Sequence, residues 1–303
     1  MILILTHTLD YTADIVVDVL NKRSFPYIRL NTDEVKNLEN SILIDQTTET
    51  YPKFTSVWLR RYLSPEKLVR SEDSVWLLDE YKSFLYNLIT SSKYRMMSDP
   101  YNIDRAENKA FQLTCARDLG FDVPRTLITG DSDRIENFFD LLNGEMVVKP
   151  IYSNRLSIEE SEYHIFTNKI QRSELKNLRS AFTFPSIYQE FIDKEFDIRV
   201  TVVGDKAYSA FVESQKNIET LVDWRRKRVP FEVYDLPQKI QDKCIALVKS
   251  LGLSFGAIDI VKSKNGQYFF LEINPNGQWG WIEADTGLPL SEKIVEWLRG
   301  DDV

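Results

Sequence analysis

The stretch Gly256–Trp279, GAIDIVKSKNGQYFFLEINPNGQW, carries the strongest structural signal in this chain, because acids lie along the middle of an otherwise apolar hairpin. Two runs typical of strands, GAIDIVKSK and QYFFLEIN, flank Asn265-Gly266, a pair that favours a two-residue hairpin turn. With that turn, Asp259 lies directly opposite Glu272 on the neighbouring strand. A β-bulge would change this pairing.

Alternation along the strands puts three oxygen-bearing side chains on one face of the hairpin, those of Asp259, Glu272 and Asn274. Asn274 then faces Ala257. The other face is apolar, with Ile258, Ile260, Leu271 and Ile273. Like charges opposite each other are destabilising, so we expect a cation between the two acids. Two carboxylates and an amide are hard oxygen ligands that suit Mg²⁺. The alternative, an edge hairpin whose acids lie in water, is disfavoured by the apolar YFFL run.

Two lysines are candidates for contacting nucleotide phosphates. Lys149 ends the apolar run EMVVKP, and Lys109 lies in a stretch with helical periodicity. A lysine that leaves a buried strand before a proline can direct its ammonium into a cleft. A lysine in either motif, taken alone, is most often a solvated surface charge. The run YQEFIDKEFDIR changes from apolar to polar halfway, so its backbone groups are candidates for binding a nucleotide base. The alternative is a strand that leads into an acidic turn.

The order of predicted elements divides the chain into three blocks. Residues 1–98 predict an α/β domain that opens with a βαβ unit and includes an amphipathic helix over 73–92. Residues 99–184 predict a helix over 102–120 that ends at Gly120, followed by strand, helix and strand. Residues 185–303 predict three strands, a basic loop, a helix, the hairpin and a last helix from Ser291. The predicted fold class is α/β with α+β subdomains.

Composition limits the function classes. The chain has 303 residues, 43% of them hydrophobic, which allows two or three domains around sizeable cores. No apolar run approaches the roughly 18 residues that a membrane span needs, and MILILTHTLD does not resemble a signal peptide, so we expect a cytoplasmic protein without a membrane partner. A net charge of −8 argues against nucleic-acid binding. Cys115 and Cys244 lack metal-ligand spacing and indicate reduced core thiols.

These motifs together resemble the ATP-grasp superfamily of carboxylate ligases. The resemblance rests on Lys109, VVKP, QEFI, DIR, AIDI and above all FLEINPNGQW. Within the superfamily, LEINPNGQW with DIRV and DWR is most similar to the graspetide synthetases, microviridin-type maturases that cross-link ribosomal peptides. The resemblance covers essentially the whole chain. It implies an ATP-grasp fold with an N-terminal pre-ATP-grasp domain (1–98), a central subdomain (99–184) and a C-terminal subdomain with the Mg²⁺-ATP and substrate site (185–303).

The resemblance also implies roles for individual residues. The residues expected to hold ATP are Lys109 and Lys149 on the phosphates, the backbone of Glu190 and Ile192 on adenine, and Glu195 on the ribose. Those expected to hold Mg²⁺, as two ions, are Asp259, Glu272 and Asn274. Those expected to act on the reacting groups are Asp197, Arg199 and Arg225. Many superfamily members cover the phosphates with a glycine-rich loop, whereas the loop after Lys149 has no glycine, so that side chains such as Ser153 and Asn154 would have to form the cover.

Two charged motifs also have interpretations that involve no substrate. Asp197 and Arg199 alternate on one strand face, so the acid can orient the guanidinium while the arginine binds a carboxylate or acyl phosphate. An intrastrand salt bridge is the alternative. The four basic residues 225–228 exceed what one triphosphate requires and can attract an acidic peptide, or they can form a solvated basic loop.

The implied reaction is phosphorylation of an Asp or Glu side chain of a peptide, followed by attack of a Thr or Ser hydroxyl, giving an ester, or of a Lys amine, giving an amide. The implied partner is a ribosomally made precursor with a leader and an acidic, Thr-rich core, bound by a homodimer. We expect the leader near residues 166–178 and the strands after Phe191. Trp279 and Trp281 are candidates for shaping the substrate end of the cleft, with core packing as the alternative.

Two other functions remain open at this stage. A ligase acting on a small amino acid or a protein C-terminus would share every ATP-binding residue named above. A non-catalytic ATP-binding regulator is disfavoured by the intact set of two acids and an amide. No residue stands out as a general base, and neither His7 nor His164 lies in a recognisable motif.

Overall fold

The computed structural model describes residues 1–34, 43–44, 49–50, 53–62, 73–90, 93–152, 155–158, 161–178 and 184–301. Ser153 and Asn154, which were expected to cover the phosphates, lie outside the described residues. Within this part of the chain no helix is long and apolar enough to cross a membrane.

The N-terminal region of the chain contains a parallel four-stranded sheet, in the order β2-β1-β5-β6. Its elements are β1 (Ile2–Thr6), α1 (Tyr11–Lys22), β2 (Tyr27–Asn31), β3 (Leu43–Ile44), β4 (Glu49–Thr50), β5 (Ser56–Leu59), α2 (Ser74–Thr90) and β6 (Arg95–Met97). The predicted βαβ opening and the helix over 73–92 are confirmed. Of the strand-like run SILIDQ, residues 41–46, the structure describes Leu43 and Ile44, which form β3 and pair with β4.

The middle sheet has the order β11-β8-β12-β7 and its own small apolar core. The elements of this region are α3 (Pro100–Ala106), α4 (Lys109–Asp118), β7 (Thr126–Thr129), α5 (Ser132–Leu141), β8 (Met146–Lys149), β9 (Arg155–Ile158), β10 (Ser161–His164), β11 (Asn168–Lys169), α6 (Arg172–Leu178) and β12 (Ser186–Glu190). Because β12 pairs with β7 and β8, the first strand of the predicted 185–303 block joins the sheet of the preceding block.

The single helix expected over 102–120 is wrong, because two helices meet there. The Asn108 side chain accepts a hydrogen bond from the Phe111 N–H at 3.0 Å and so begins α4 as its N-cap. This cap places Lys109 at the first position of α4. Gly120, with φ of +79°, follows the end of α4 as predicted.

The large sheet is antiparallel, in the order β15-β14-β13-β16-β17. The elements of this region are β13 (Lys194–Val203), β14 (Lys206–Val212), β15 (Glu232–Val233), α7 (Gln238–Ser250), β16 (Phe255–Ser263), β17 (Tyr268–Asn274), α8 (Gly280–Thr286) and α9 (Leu290–Arg299). One apolar core joins this sheet and α7 to the N-terminal sheet, so the two sheets belong to one packed unit. The predicted α/β fold class is confirmed.

The turn of the β16–β17 hairpin differs from the prediction. Ser263 and Gln267 close a three-residue loop, in which the Gly266 N–H donates to the Ser263 carbonyl at 2.8 Å. Gly266 has φ of +86°, whereas Asn265 does not have a positive φ. A turn followed by a glycine in the left-handed region is the usual form of a three-residue hairpin loop.

A β-bulge restores the predicted pairing at the acids. Phe270 pairs with Ile260, yet Glu272 pairs with Asp259, so that Leu271 is an extra residue on β17. The core position expected for Leu271 is therefore occupied by Phe270, which is fully buried. The longer loop and the bulge offset each other, and Asn274 faces Ala257 as predicted.

Candidate active site

A cleft between the middle sheet and the large sheet collects most of the predicted site residues. Those that line it are Lys109, Lys149, Glu190, Ile192, Asp197, Arg225, Asp259, Glu272 and Asn274. Arg199 lies beside Asp259 and is almost fully buried. Glu195 does not line the cleft; it is half exposed and pairs with Lys262 at 3.0 Å.

The two acids of the hairpin each meet a different cation. The Lys109 Nζ lies 3.1 Å from the Glu272 Oε2, and the Arg199 Nη1 lies 2.8 Å from both Asp259 oxygens. Register explains the second pair, because Arg199 on β13 stands directly opposite Asp259 on β16. Asn274 adds a contact from its Nδ2 to the Asp259 Oδ2 at 3.3 Å. The sheet and the start of α4 thus bring two acids, an amide and two cations together.

The surrounding charges affect the two acids differently. Burial alone would raise the pKa of Glu272, but Lys109, Lys149 and Arg225 together lower it well below its ordinary value. Burial raises the pKa of Asp259, and the charge of Glu272 adds to this effect, while Arg199 opposes it. Glu272 is therefore the more firmly ionised of the two carboxylates.

Lys149 and Arg225 add positive charge on the other side of the cleft. Burial lowers the pKa of Lys149, and the charge of Glu272 counteracts this shift. Asp223 holds Arg225 through two hydrogen bonds, from Nε at 2.8 Å and from Nη2 at 2.6 Å. This pairing raises the pKa of Arg225 even though burial acts to lower it. Such cations, held within a cleft, are suited to binding phosphate.

Asp197 and Arg199 do not form the pair that alternation predicts. Asp197 accepts hydrogen bonds from the Lys194 Nζ at 2.9 Å and from the Ser214 hydroxyl. No hydrogen bond or ion pair joins Asp197 to Arg199 in the described part of the chain, so both the orienting role and the intrastrand salt bridge are wrong. The cross-strand partner Asp259 binds the guanidinium instead, because residues paired across a ladder lie closer than residues two apart on one strand.

The basic run 225–228 is not a free positive patch. Asp223 binds Arg225, the Asn168 side chain and the Thr167 carbonyl bind Arg226, Glu219 binds Lys227, and Asp285 binds Arg228. Every side chain of the run thus has a partner within the protein. Arg226, Lys227 and Arg228 are nevertheless exposed, so the solvated basic loop is confirmed, with its side chains anchored by these contacts. Attraction of an acidic peptide by the run stays a prediction.

The segment expected to bind adenine is partly occupied by internal contacts. The Glu190 carboxylate binds the Arg125 guanidinium at 3.0 Å, and the Glu190 N–H donates to the Arg125 carbonyl at 2.9 Å. The Phe191 N–H donates to the Glu145 backbone carbonyl at 2.9 Å. The Ile192 N–H has no acceptor among the described residues, which leaves it as the open donor of this segment.

Several residues near the site escaped the sequence interpretation. Lys194 binds Asp197, and Asp223 binds Arg225. The sequence around Lys194 and Asp223 does not predict these contacts. Glu107 also lines the cleft, and burial raises its pKa. Trp279 is almost fully buried in a core shared with α1 and α9, so its role is packing.

The chemistry of the donor set fits Mg²⁺. Asp259 and Glu272 supply carboxylate oxygens, and Asn274 supplies an amide oxygen, all hard ligands. The described residues contain no cluster of three or more His, Cys, Asp or Glu side chains that could hold a metal, so a softer or larger protein ligand set is absent from this part of the chain. Such a small set suits an ion that keeps water and phosphate oxygens as further ligands.

Comparison with known protein families assigns the chain. The RimK-like ATP-grasp domain matches residues 106–298. The chain belongs to the RimK-like ATP-grasp family. This family consists of ATP-dependent ligases, and ATP-grasp enzymes use ATP and Mg²⁺. The predicted ATP-grasp fold is confirmed.

Two solved structures are similar to this chain over nearly its whole length. The RiPP-associated ATP-grasp ligase of Chryseobacterium gregarium, solved with ADP and a leader and core peptide, has a TM-score of 0.87 at 26% identity, covering 99% of this chain and 96% of that one. The macrocyclase MdnC of Microcystis aeruginosa MRC, solved with the precursor peptide MdnA, has a TM-score of 0.84 at 27% identity, covering 99% of both chains. The alpha-aminoadipate–LysW ligase LysX of Sulfurisphaera tokodaii is 22% identical over 214 residues, 68% of this chain and 73% of that protein.

Proposed function

We propose that this RimK-like ATP-grasp protein is an ATP-dependent peptide macrocyclase. The observation that carries the proposal is the whole-length likeness to two ligases solved with precursor peptides, which extends through the N-terminal domain. The alignment with the amino-acid ligase covers only 68% of the chain. The proposed partner is a ribosomally made precursor, and the proposal includes the cytoplasmic homodimer expected from the resemblance.

The proposed reaction has two steps. A side-chain carboxylate of the peptide attacks the γ-phosphorus of ATP, so that ADP leaves and an acyl phosphate forms. A hydroxyl or amine of the same peptide then attacks the acyl carbon, phosphate leaves, and the nucleophile loses a proton. An ester or amide cross-link results, with the loss of one water from the peptide overall.

The residues of the cleft have separate tasks in this proposal. Lys109 and Lys149 bind phosphate oxygens, and Arg225, held by Asp223, adds a guanidinium oriented for an anion. The ion held by Asp259, Glu272 and Asn274 would neutralise phosphate charge. Charge compensation and positioning are the main demands of phosphoryl transfer.

Arg199 differs from the other cations because both of its Nη atoms are already bonded. Nη1 binds Asp259, and Nη2 donates to the Gln278 carbonyl at 3.3 Å. Its Nε is buried and has no hydrogen-bond partner among the described residues. Binding of the substrate carboxylate or acyl phosphate is assigned to Arg199 as the role that the resemblance implies, although its guanidinium does not line the cleft in this structure. Ile192 offers its N–H to adenine, whereas Glu195 lies outside the lining and has no role in the proposal.

A second candidate, a ligase for a free amino acid, is favoured by the likeness to LysX. ADP release separates the candidates. The protein, with Mg²⁺ and ATP, is given either a candidate precursor peptide with an acidic, Thr-rich core or a panel of free amino acids. Stimulation by the peptide alone supports the macrocyclase. Stimulation by an amino acid alone supports the small-molecule ligase, and no stimulation by either supports a non-catalytic regulator.

A further inference from the structure

A buried arginine of the N-terminal domain reaches into the loop that follows the metal-ligand hairpin. Arg60 follows β5 directly and is only 2% exposed. Its Nη1 donates to the Asn276 carbonyl at 2.8 Å, and its Nη2 donates to the Gln278 Oε1 at 2.8 Å. Residues 275–279, which we call the 275–279 loop, therefore receive two hydrogen bonds from a different domain.

Burial of Arg60 is costly. Its Nε lies 3.7 Å from the Asp10 Oδ2 and has no hydrogen-bond partner in the described part of the chain. Burial lowers the pKa of Arg60 to about 10. A guanidinium in such a place is more expensive than an apolar side chain of the same length. Unlike an apolar side chain, the arginine donates two hydrogen bonds to the loop through its Nη atoms.

The 275–279 loop lies directly against Arg199. The Gln278 carbonyl accepts a hydrogen bond from the Arg199 Nη2 at 3.3 Å. A Cβ added to Gly277 would lie 2.8 Å from the same Nη2 and 2.5 Å from the Ala257 Cβ. The backbone of the loop thus forms one wall of the Arg199 pocket, and a shift of the loop would move the guanidinium.

One further contact ties the loop to the N-terminal domain. The Thr12 hydroxyl on α1 donates to the same Gln278 Oε1 that Arg60 binds. Asp10, which caps α1 by accepting from the Thr12 and Ala13 N–H groups, lies beside the Arg60 Nε. One hydrogen-bonded chain therefore runs from the start of α1 through Gln278 to Arg199.

We infer that Arg60 is a positioning residue, through which the N-terminal domain sets the 275–279 loop and hence the orientation of Arg199. Arg60 does not line the cleft, so it acts through Asn276 and Gln278 and not on the substrate. The kinetic part of this inference rests on the proposed function. The structural part concerns the loop alone and is tested without substrate.

Two variants break the same contact from opposite sides. Arg60→Met keeps the length of the side chain and removes its donors, including the one to Asn276, whereas Gln278→Leu removes the acceptor that Arg60 shares with Thr12. Arg117→Met, at an exposed arginine of α4 paired with Asp118, is the matched control. Hydrogen exchange of the ligand-free proteins reports on the loop, and peptide-stimulated ADP release reports on catalysis.

We expect faster exchange at residues 275–279 in Arg60→Met and Gln278→Leu, with β1 and β5 unchanged, and wild-type exchange in Arg117→Met. The kcat should fall roughly 10- to 100-fold, the loss typical of a misplaced reacting group, while the KM for ATP stays within about twofold. The double variant should be no slower than the slower single variant, because both changes break one chain of contacts.

Three results would overturn the inference. The first is wild-type exchange at residues 275–279 in both single variants. The second is exchange that rises equally in β1 and β5, which would make Arg60 a stabilising residue of its own domain. The third is kinetic losses that multiply in the double variant. If the wild type releases no ADP with the precursor, the proposed function fails, and the exchange data alone decide the role of Arg60.

Discussion

Glu272 lies opposite Asp259 across β16 and β17, and each carboxylate has its own cation, Lys109 at 3.1 Å and Arg199 at 2.8 Å. These pairs limit the cost of burying two acids side by side. They also place oxygen donors next to positively charged side chains. A site for Mg²⁺ and a nucleotide requires this combination.

Glu272→Gln tests the proposed metal set. The change removes one carboxylate and leaves Lys109 without its ion pair. We expect the affinity for Mg²⁺-ADP, measured by calorimetry, to fall by more than roughly tenfold, since even residues that only orient a metal ligand have effects of this size. Glu296→Gln, which disrupts a pair with Lys293 on α9, is the control and should bind normally. Equal affinities of the two variants would exclude Glu272 from the site.

Gly277→Ala should slow the reaction. An added Cβ would approach the Arg199 Nη2 to 2.8 Å, so the loop or the guanidinium must shift. We expect peptide-stimulated ADP release to fall roughly 10- to 100-fold. Gly266→Ala introduces the same methyl group in open space at φ of +86°, and should cost about 1 kcal/mol of stability with little effect on rate. Normal rates in Gly277→Ala would show that the loop does not constrain Arg199.

Asp223→Asn should reduce stability in a pH-dependent way. Burial acts to raise the pKa of Asp223, but Arg225 and the Thr167 N–H lower it below the ordinary value of 3.8. Because the folded state binds this proton more weakly than the unfolded state, the stabilisation is complete above that value and is lost as the pH falls below it. We expect urea denaturation to show a loss of about 3 kcal/mol at pH 7 that shrinks below about pH 4. A loss that is independent of pH would contradict the pairing with Arg225.

The two cysteines should be dispensable for catalysis. Cys244 is fully buried in α7, and burial raises the pKa of its thiol to about 12. Burial also raises the pKa of the partly exposed Cys115. At pH 8 a thiol reagent should label Cys115 slowly and Cys244 only after unfolding. Cys115→Ser with Cys244→Ala should retain the wild-type rate, and a lost rate with an intact fold would point to thiol chemistry.

Much of the fold follows from local patterns, because strand alternation and helical periodicity report burial directly. The pairing of Asp259 with Glu272 was predicted correctly, but from a turn that was wrong. The three-residue loop at Gly266 and the extra residue Leu271 offset each other. A bulge of this kind depends on how Phe270 packs in the core, and no local pattern records such packing.

The partners of charged residues were the least predictable feature of the site. Alternation alone paired Asp197 with Arg199, whereas the register of β13 with β16 pairs Arg199 with Asp259. Register between strands far apart in sequence is set by the whole sheet. For the same reason Arg60, more than two hundred residues from the loop that it contacts, gave no signal in the sequence.

Mass spectrometry of a candidate precursor peptide with an acidic, Thr-rich core, incubated with this protein, Mg²⁺ and ATP, tests the macrocyclase proposal most directly. The Glu272→Gln variant serves as the control. We predict losses of about 18 Da per cross-link with the wild type and an unchanged mass with the variant. A peptide of unchanged mass despite ADP release, or one that gains the mass of an amino acid, would contradict the proposal.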